Sequence, residues 1–164
     1  GSCGLAWKEY PELFEEGSKL RAQAETLAVK VKDITELVLM LDYAKHLGRL
    51  SGKVTYHDPC HLKNGLKVVN QPREVLKSIP GIEFTDNPNG LCCGSGGSFS
   101  LKHYELSQKI TERCVQKLMQ TGSEIVATGC LACRMQIEDT VARNGYPLAV
   151  RHTIEILSDS YRRK

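Results

Sequence analysis

The 164-residue sequence has few aromatic residues, no long apolar run and no large excess of charge. Aromatic residues make up 6% of it, too few to suggest a platform on which nucleic-acid bases stack. The most apolar stretch, 34–41, is far shorter than a membrane-spanning helix, and no signal peptide is recognisable. The formal net charge is +3, and the basic tail 162–164 is interpreted as a solvated terminus. We therefore expect a globular domain with neither a nucleic-acid partner nor a transmembrane segment.

Seven cysteines are many for such a chain. In the absence of an export signal, we expect a cytoplasmic protein, peripheral at most on the inner face of the membrane. Cysteines in that compartment are more often metal ligands or catalytic thiols than disulfides. The chain begins Gly1-Ser2 instead of Met, which is interpreted as a fragment of a longer protein with a cloning remnant.

Hydrophobic periodicity predicts that strands and helices alternate after residue 50. The predicted strands are 53–57, 82–84, 124–128 and 149–150, and the predicted helices are 73–79, 98–120, 130–143 and 153–161. This alternation predicts an α/β fold with a mostly parallel sheet flanked by helices. The functional crevice of such a sheet lies beyond the carboxyl ends of its strands.

Several side chains are predicted to be buried by their helical spacing or their size. In the amino-terminal segment 5–46, which Gly17-Ser18 is expected to break into two helices, the predicted apolar face is formed by Leu20, Leu27, Val31, Ile34 and Val38. In the helix 98–120 it is formed by Leu106, Ile110, Cys114 and Leu118. Trp7 and Phe99 are also expected in the core.

Five cysteines fall where the crevice is expected. Cys60 follows the first strand, Cys130 follows the third, and Cys133 lies in the first turn of a helix, where the helix dipole lowers the pKa of a thiol. Cys92 and Cys93 precede a glycine-rich run, in which Gly94, Gly96 and Gly97 can take positive φ angles and turn N–H groups towards an anionic group. Thiolates in such a pattern serve zinc sites, iron–sulfur clusters and redox dithiols. The spacing leaves a zinc site, a four-iron cluster and a reactive dithiol open.

Other polar residues near this edge are predicted to have structural roles or to be exposed to solvent. His57 and His61 are expected to orient the loop around Cys60 or to bond a cysteine sulfur, and His152 to make a structural contact. The cations near the edge are interpreted as solvated surface: Lys63, Lys67, Arg73 and Lys102.

The residues around these cysteines resemble the cysteine-rich CCG domain of heterodisulfide reductase B subunits and of the iron–sulfur subunits of glycolate and lactate oxidases. The resemblance covers about residues 53–160 and is carried by the motifs His57-Asp58-Pro59-Cys60-His61, Cys92-Cys93-Gly94-Ser95-Gly96-Gly97-Ser98-Phe99 and Ala127-Thr128-Gly129-Cys130. Two further stretches resemble the hydroxy-acid oxidase branch, Met135-Gln136-Ile137 and His152-Thr153-Ile154-Glu155.

This resemblance implies a ligand set and a domain arrangement. The implied ligands are Cys60, Cys92, Cys93, Cys130 and Cys133. In this family the five cysteines can hold an unusual noncubane 4Fe–4S cluster, and zinc, found in some members, is the alternative. CCG domains occur in tandem, so residues 1–50 are interpreted as the helical tail of a truncated preceding repeat ending its cysteine set at Cys3. Residues 51–164 are interpreted as the complete CCG domain. The likeness of Asp33-Ile34-Thr35-Glu36 to His152-Thr153-Ile154-Glu155 supports this internal repeat.

The function implied is electron transfer within a flavin-linked 2-hydroxy-acid oxidoreductase of glycolate or lactate type, without independent catalysis by this chain. The expected partners are a flavin-containing dehydrogenase subunit or domain and an amino-terminal ferredoxin-like segment of the intact protein. The sequence departs from the family in lacking that segment's C-x-x-C-x-x-C-x-x-x-C-P motif. A cluster-based disulfide (heterodisulfide) reductase subunit and a zinc-stabilised structural or interaction domain are the alternatives.

Overall fold

The computed structural model describes residues 1–88 and 90–163. Asn89, in the glycine-rich loop, and Lys164, the last residue of the basic tail, lie outside the described residues. The described strands are β1 Gly52–His57, β2 Ile82–Thr85, β3 Ile125–Thr128 and β4 Ala149–His152. They form one sheet in the order β2-β1-β3-β4, in which every pairing is parallel. The predicted α/β fold with a parallel sheet is therefore confirmed.

Helices surround this sheet and precede it. The α-helices are α1 Ser2–Glu9, α2 Lys19–Lys30, α3 Ile34–Leu39, α4 Asn70–Lys77, α5 Phe99–Lys102, α6 Tyr104–Met119, α7 Leu131–Asn144 and α8 Thr153–Arg162. Short 3-10 turns occupy Tyr10–Leu13 and Ala44–His46, and a π-helical turn occupies His61–Leu66. Among the described residues, no helix combines the length and the apolar character needed to cross a membrane.

The long helix predicted over 98–120 is interrupted. His103 has φ −130° and ψ 53°, outside the helical region, so α5 ends before it and α6 begins after it. The predicted break at Gly17-Ser18 is confirmed, because Gly17 has a φ of +76° and the Ser18 hydroxyl accepts the Arg21 N–H at the start of α2.

The core consists of two layers, one on each face of the sheet. In β3, Val126 belongs to one layer and Ala127 to the other, since successive side chains of a strand point to opposite faces. Helices α6 and α7 cover the first layer, and α4 and α8 cover the second. Cys93, Cys130 and Cys133 belong to the first layer, so the cysteine cluster is continuous with the core.

Some predicted core residues lie at the surface. Leu106 is 52% exposed, because α6 turns Ser107 and Thr111 inwards together with Cys114. Trp7 is 48% exposed, and Leu20 and Leu27 are also exposed. The predictions for these three residues were wrong. For Leu20 and Leu27 the reason is that α2 packs through small side chains, Ala24 and Ala28, and leaves its longer apolar side chains uncovered; Trp7 lies on α1, which buries none of its residues. Phe99 is half-buried.

Helices α3 and α8 begin with the same local structure. The Asp33 carboxylate accepts the Thr35 N–H, and Glu36 accepts the Asp33 N–H. At α8, His152 Nδ1 accepts the Ile154 N–H, and Glu155 accepts the His152 N–H. The structural contact expected of His152 is this cap. The internal repeat, and the division at residue 50, stay predictions.

Candidate metal centre

The five predicted cysteines line one cavity at the carboxyl edge of the sheet. Since β1 and β3 are neighbours and His57 pairs with Thr128, the segments that follow them emerge side by side. Cys60 begins the turn after β1, Cys130 and Cys133 begin α7 after β3, and the loop before α5 brings Cys92 and Cys93 to the same place. The cavity encloses about 70 Å³, and Gly96 and Gly97 also line it. The structure thus brings the cysteines together, and their role as ligands stays a prediction.

The cysteines differ in depth. Cys93, Cys130 and Cys133 are buried, whereas Cys60 and Cys92 are exposed. Cys93 Sγ lies 3.1 Å from Cys133 Sγ. Within the described residues, His57, Cys93 and Cys133 form the one group of metal-binding side chains whose ligand atoms all lie within 4.8 Å of one another. Cys130 is hydrogen-bonded to Cys133, and Cys60 and Cys92 lie at the exposed part of the cavity lining.

The glycine-rich loop takes the conformation predicted for it. Gly94, Gly96 and Gly97 have φ angles of +79°, +47° and +58°. A Cβ on Gly94 would lie 2.7 Å from the Ser107 carbonyl oxygen, so only glycine fits between this loop and α6. The Gly94 N–H donates to Cys92 Sγ at 3.4 Å, as a loop that binds anionic sulfur requires.

Hydrogen bonds separate the acidities of the buried thiols. Bonding to Cys133 lowers the pKa of Cys130 to about 4 and that of Cys93 to about 5. The same two bonds raise the pKa of Cys133. The prediction of a lowered pKa for Cys133 was therefore wrong, because the N–H groups of Ala132 and Cys133 at the start of α7 bond Cys130 instead. Burial and the nearby Cys92 thiol raise the pKa of Cys60.

The two histidines beside Cys60 occupy different surroundings. His57 is buried beside Cys93, and its Nδ1 lies 3.7 Å from Cys114 Sγ. His61 is exposed and bonds the Ser2 hydroxyl at 2.7 Å. His57 therefore contacts cysteine sulfur as expected, while His61 contacts the start of α1.

The remaining cysteines lie outside the cavity lining. Cys114 is buried and hydrogen-bonded to the Leu91 carbonyl oxygen at 3.4 Å, and burial raises its pKa to about 12. A thiol that keeps its proton is a poor ligand, which fits the packing role expected of Cys114. Cys3 is exposed and lines a neighbouring cavity with Cys130.

Arg73 is a buried cation, not the solvated residue that was predicted. Its guanidinium donates two bonds of 2.7 Å to the Asp58 carboxylate and one of 2.9 Å to Asp86, and the bonds to Asp58 raise the pKa of Arg73. Asp58 and Asp86 follow β1 and β2 directly, so Arg73 fixes both strand ends below the cavity. In the sequence, the acidic residue of the Asp58-Pro59 pair before Cys60 was the available sign of a buried ion pair. Nothing in the neighbouring sequence identifies Arg73 as its partner. Lys63 lies 3.7 Å from Asp58.

The arrangement suits a metal-containing group. Five sulfur donors from three chain segments surround one cavity, and thiolate is the ligand that zinc and iron–sulfur clusters prefer. The lowered pKa values of Cys93 and Cys130 supply thiolates near neutral pH. These residues therefore fit a metal ion or a cluster.

Comparison with known proteins agrees with this geometry. Residues 54–138 match the cysteine-rich CCG domain. The chain is similar to lactate utilization protein A of Anoxybacillus flavithermus, with 32% identity over 160 residues, which are 96% of this chain and 67% of that protein. Lactate utilization protein A 1 of Bacillus mycoides is 32% identical over 97% of the chain and 66% of its own length. The Oceanobacillus iheyensis protein of the same name is 35% identical over 96% and 66%. The chain thus spans about two thirds of the length of these relatives.

Proposed function

The chain belongs to the cysteine-rich CCG domain family, and from this premise we propose that it is an iron–sulfur electron-transfer domain of a flavin-linked 2-hydroxy-acid oxidoreductase, with lactate as the favoured substrate. The observation that carries the proposal is the set of five thiols around one cavity. The lactate assignment rests on the names of the relatives, and the glycolate oxidase branch is the next candidate.

The number of sulfurs around the cavity favours a cluster over a single ion. Two thiolates on one zinc ion, each about 2.3 Å from the metal, lie roughly 4 Å apart. Cys93 and Cys133, with His57, form such a compact group among the described residues, but five thiols line the cavity, one more than the four ligands that a zinc ion binds. We infer that Cys60, Cys92, Cys93, Cys130 and Cys133 hold a four-iron cluster.

The surrounding residues would shield the cluster from water on one side and leave it accessible on the other. Cys93, Cys130, Cys133 and His57 are buried against the core, which excludes water from that side. The exposed Cys60 and Cys92 lie on the side from which a partner can approach. When bound, a four-iron cluster supplies one-electron transfer.

Partners and location follow from the same proposal. The 2-hydroxy acid would be oxidised on a flavin-containing subunit or domain, and a ferredoxin-like segment of the intact protein would relay electrons. All seven cysteines are free thiols, which agrees with a cytoplasmic protein, peripheral at most on the inner face of the membrane.

The metal content of protein purified without oxygen tests the proposal. We expect about four irons per chain and little zinc. Cys93→Ser should lose most of the iron, because it removes a buried donor from the cavity. Cys114→Ser is the matched control: Cys114 is equally buried but lies outside the cavity lining, so its iron content should equal that of the unchanged protein.

Two alternatives have distinct outcomes, one in the metal analysis and the other in an assay of disulfide cleavage. About one zinc and negligible iron per chain would contradict electron transfer and support a zinc-stabilised structural domain, for which the compact group of His57, Cys93 and Cys133 is the supporting observation. Cleavage of a disulfide by the reduced iron-loaded protein would support a disulfide reductase, for which the exposure of Cys60 and Cys92 is the supporting observation.

A further inference from the structure

Two peptide groups of the glycine-rich loop are anchored to α6 by buried hydroxyls. The Thr111 hydroxyl has one proton and two carbonyl oxygens within reach, that of Cys93 at 2.7 Å and that of Ser107 in its own helix at 2.9 Å, and the loop carbonyl is the closer. The Ser107 hydroxyl donates to the Gly94 carbonyl oxygen at 2.9 Å. Both side chains are fully buried. A polar side chain buried in the core normally lowers stability unless it is hydrogen-bonded. The bonds to the loop therefore explain why Ser107 and Thr111 can lie on the core face of α6.

Gln136 completes this arrangement from the neighbouring helix. Its Nε2 lies 2.9 Å from Thr111 Oγ1 and 3.1 Å from Ser107 Oγ. A side-chain amide has two N–H donors, and each hydroxyl can accept one bond while it donates another. Gln136 follows Cys133 by three residues on α7, so the network joins the cysteine-bearing helix to the cysteine-bearing loop.

The opposite ends of the same peptide groups point at cysteine sulfurs. In a planar trans peptide the N–H lies opposite the C=O, so holding the carbonyl against α6 turns the N–H towards the cavity. The Gly94 N–H bonds Cys92 Sγ at 3.4 Å, and the Ser95 N–H bonds the Cys93 sulfur. Each peptide group is therefore fixed at both ends.

We propose that Thr111, Ser107 and Gln136 are positioning residues that aim the Gly94 and Ser95 N–H groups at two sulfur ligands and thereby raise the reduction potential of the bound cluster. This inference rests on the proposed function, since it takes the sulfurs to be cluster ligands. The reduced cluster carries one more negative charge, and N–H donors stabilise negative charge on sulfur. Hydrogen bonds to cluster sulfurs are an established means of setting the potential.

A redox titration of anaerobically prepared protein tests this. Thr111→Val keeps the shape of the side chain and removes the hydroxyl. We expect it to retain its iron but to shift the midpoint downwards, so that the oxidised-to-reduced ratio at the original midpoint rises up to about tenfold, roughly 59 mV for a one-electron couple. Thr111→Ser keeps the hydroxyl and should restore the original potential. Gln136→Leu should shift the potential in the same direction as Thr111→Val.

Thr140→Val is the matched control. Thr140 is buried on α7 and bonds Gln108 of α6 at 3.1 Å, so it also joins these two helices, without touching the loop. Its potential should equal that of the unchanged protein. An unchanged potential in both Thr111→Val and Gln136→Leu would overturn the inference. Equal shifts in Thr140→Val would overturn it too, since general loosening of the helices would then be the cause.

Amide hydrogen exchange in the metal-free protein separates failure of this inference from failure of the proposed function. If the unchanged protein binds no iron, the proposed function and the effect on the potential fail together, and exchange at Gly94 and Ser95 then tests the positioning role by itself. Faster exchange of these two amides in Thr111→Val, but not in Thr140→Val, would support the positioning role. The same exchange rates in both variants would refute it.

Discussion

Beneath the cysteine cavity, one buried cation fixes the end of a strand. Arg73 and Asp58 make two hydrogen bonds, and their side chains are 9% and 6% exposed. Only Pro59 separates Asp58 from Cys60, so the position of this carboxylate determines where the Cys60 turn begins. Removal of one member of such a pair leaves the other charge buried without compensation.

Arg73→Met should therefore lower the free energy of unfolding by about 3–5 kcal/mol. The measurement is a urea denaturation series, read from the midpoint at unchanged slope. Arg21→Met is the control, because Arg21 pairs with Glu25 at the surface, where such a pair contributes less than about 1 kcal/mol. Equal effects of the two substitutions would show that Asp58 is compensated by other groups.

Among the helices, α3 and α8 depend on their first residues. Both pack beside α4, on the face of the sheet away from the cysteine-rich layer. α3 has only six residues, too few to be stable alone. Its cap by Asp33 and its packing on α4 together keep it helical.

Asp33→Ala should destabilise the protein by about 1 kcal/mol, since it leaves the first N–H groups of α3 unbonded. Asp33→Asn should be nearly neutral, because asparagine caps helices as well as aspartate. Thermal unfolding of the three proteins measures the difference. A loss of equal size in Asp33→Asn would mean that the charge of Asp33, and not its cap, is what matters.

In the whole molecule, three distant chain segments meet at the cavity. The turn after β1, the glycine-rich loop and the start of α7 contribute all five sulfurs, and bonds to a common group would join them. The free energy of binding such a group contributes to folding, because the unfolded chain has no formed site.

Removal of iron by an anaerobic chelator should thus bleach the protein and also lower its free energy of unfolding. For a group bound about a thousandfold above its dissociation constant, the loss is about 4 kcal/mol, or roughly 8 °C or more in Tm for a protein of this size. Cys93→Ser should begin at the lower Tm and not respond to the chelator. A Tm unaffected by loss of iron would contradict the idea that the group links the three segments.

Sequence patterns predicted the sheet and its edge well. The strands 53–57 and 124–128 coincide nearly with β1 and β3, and the cysteines that follow them meet because parallel strands end at one edge. The positive φ angles of Gly94, Gly96 and Gly97 were also predicted, since glycine is the residue that adopts them at low cost.

Side-chain burial was predicted less well where polar groups compete with apolar ones. In α6, spacing favoured Leu106, yet Ser107 and Thr111 are buried because they bond the loop carbonyls and Gln136. Arg73 was assigned to the surface because its partners, Asp58 and Asp86, lie far from α4 along the chain. Periodicity measures apolar content on a helix face and contains no information on such partners.

The sequence by itself determined the alternation of strands and helices, the parallel sheet and the group of cysteines at its carboxyl edge, because these depend on local periodicity, on glycine and on strand direction. Only the tertiary structure decided the order β2-β1-β3-β4, the inward face of α6, the burial of Arg73 and His57, and the difference in depth between Cys93 and Cys92. Each of these depends on a partner from a distant segment, since a polar group can be buried only where the fold supplies the atoms that bond it.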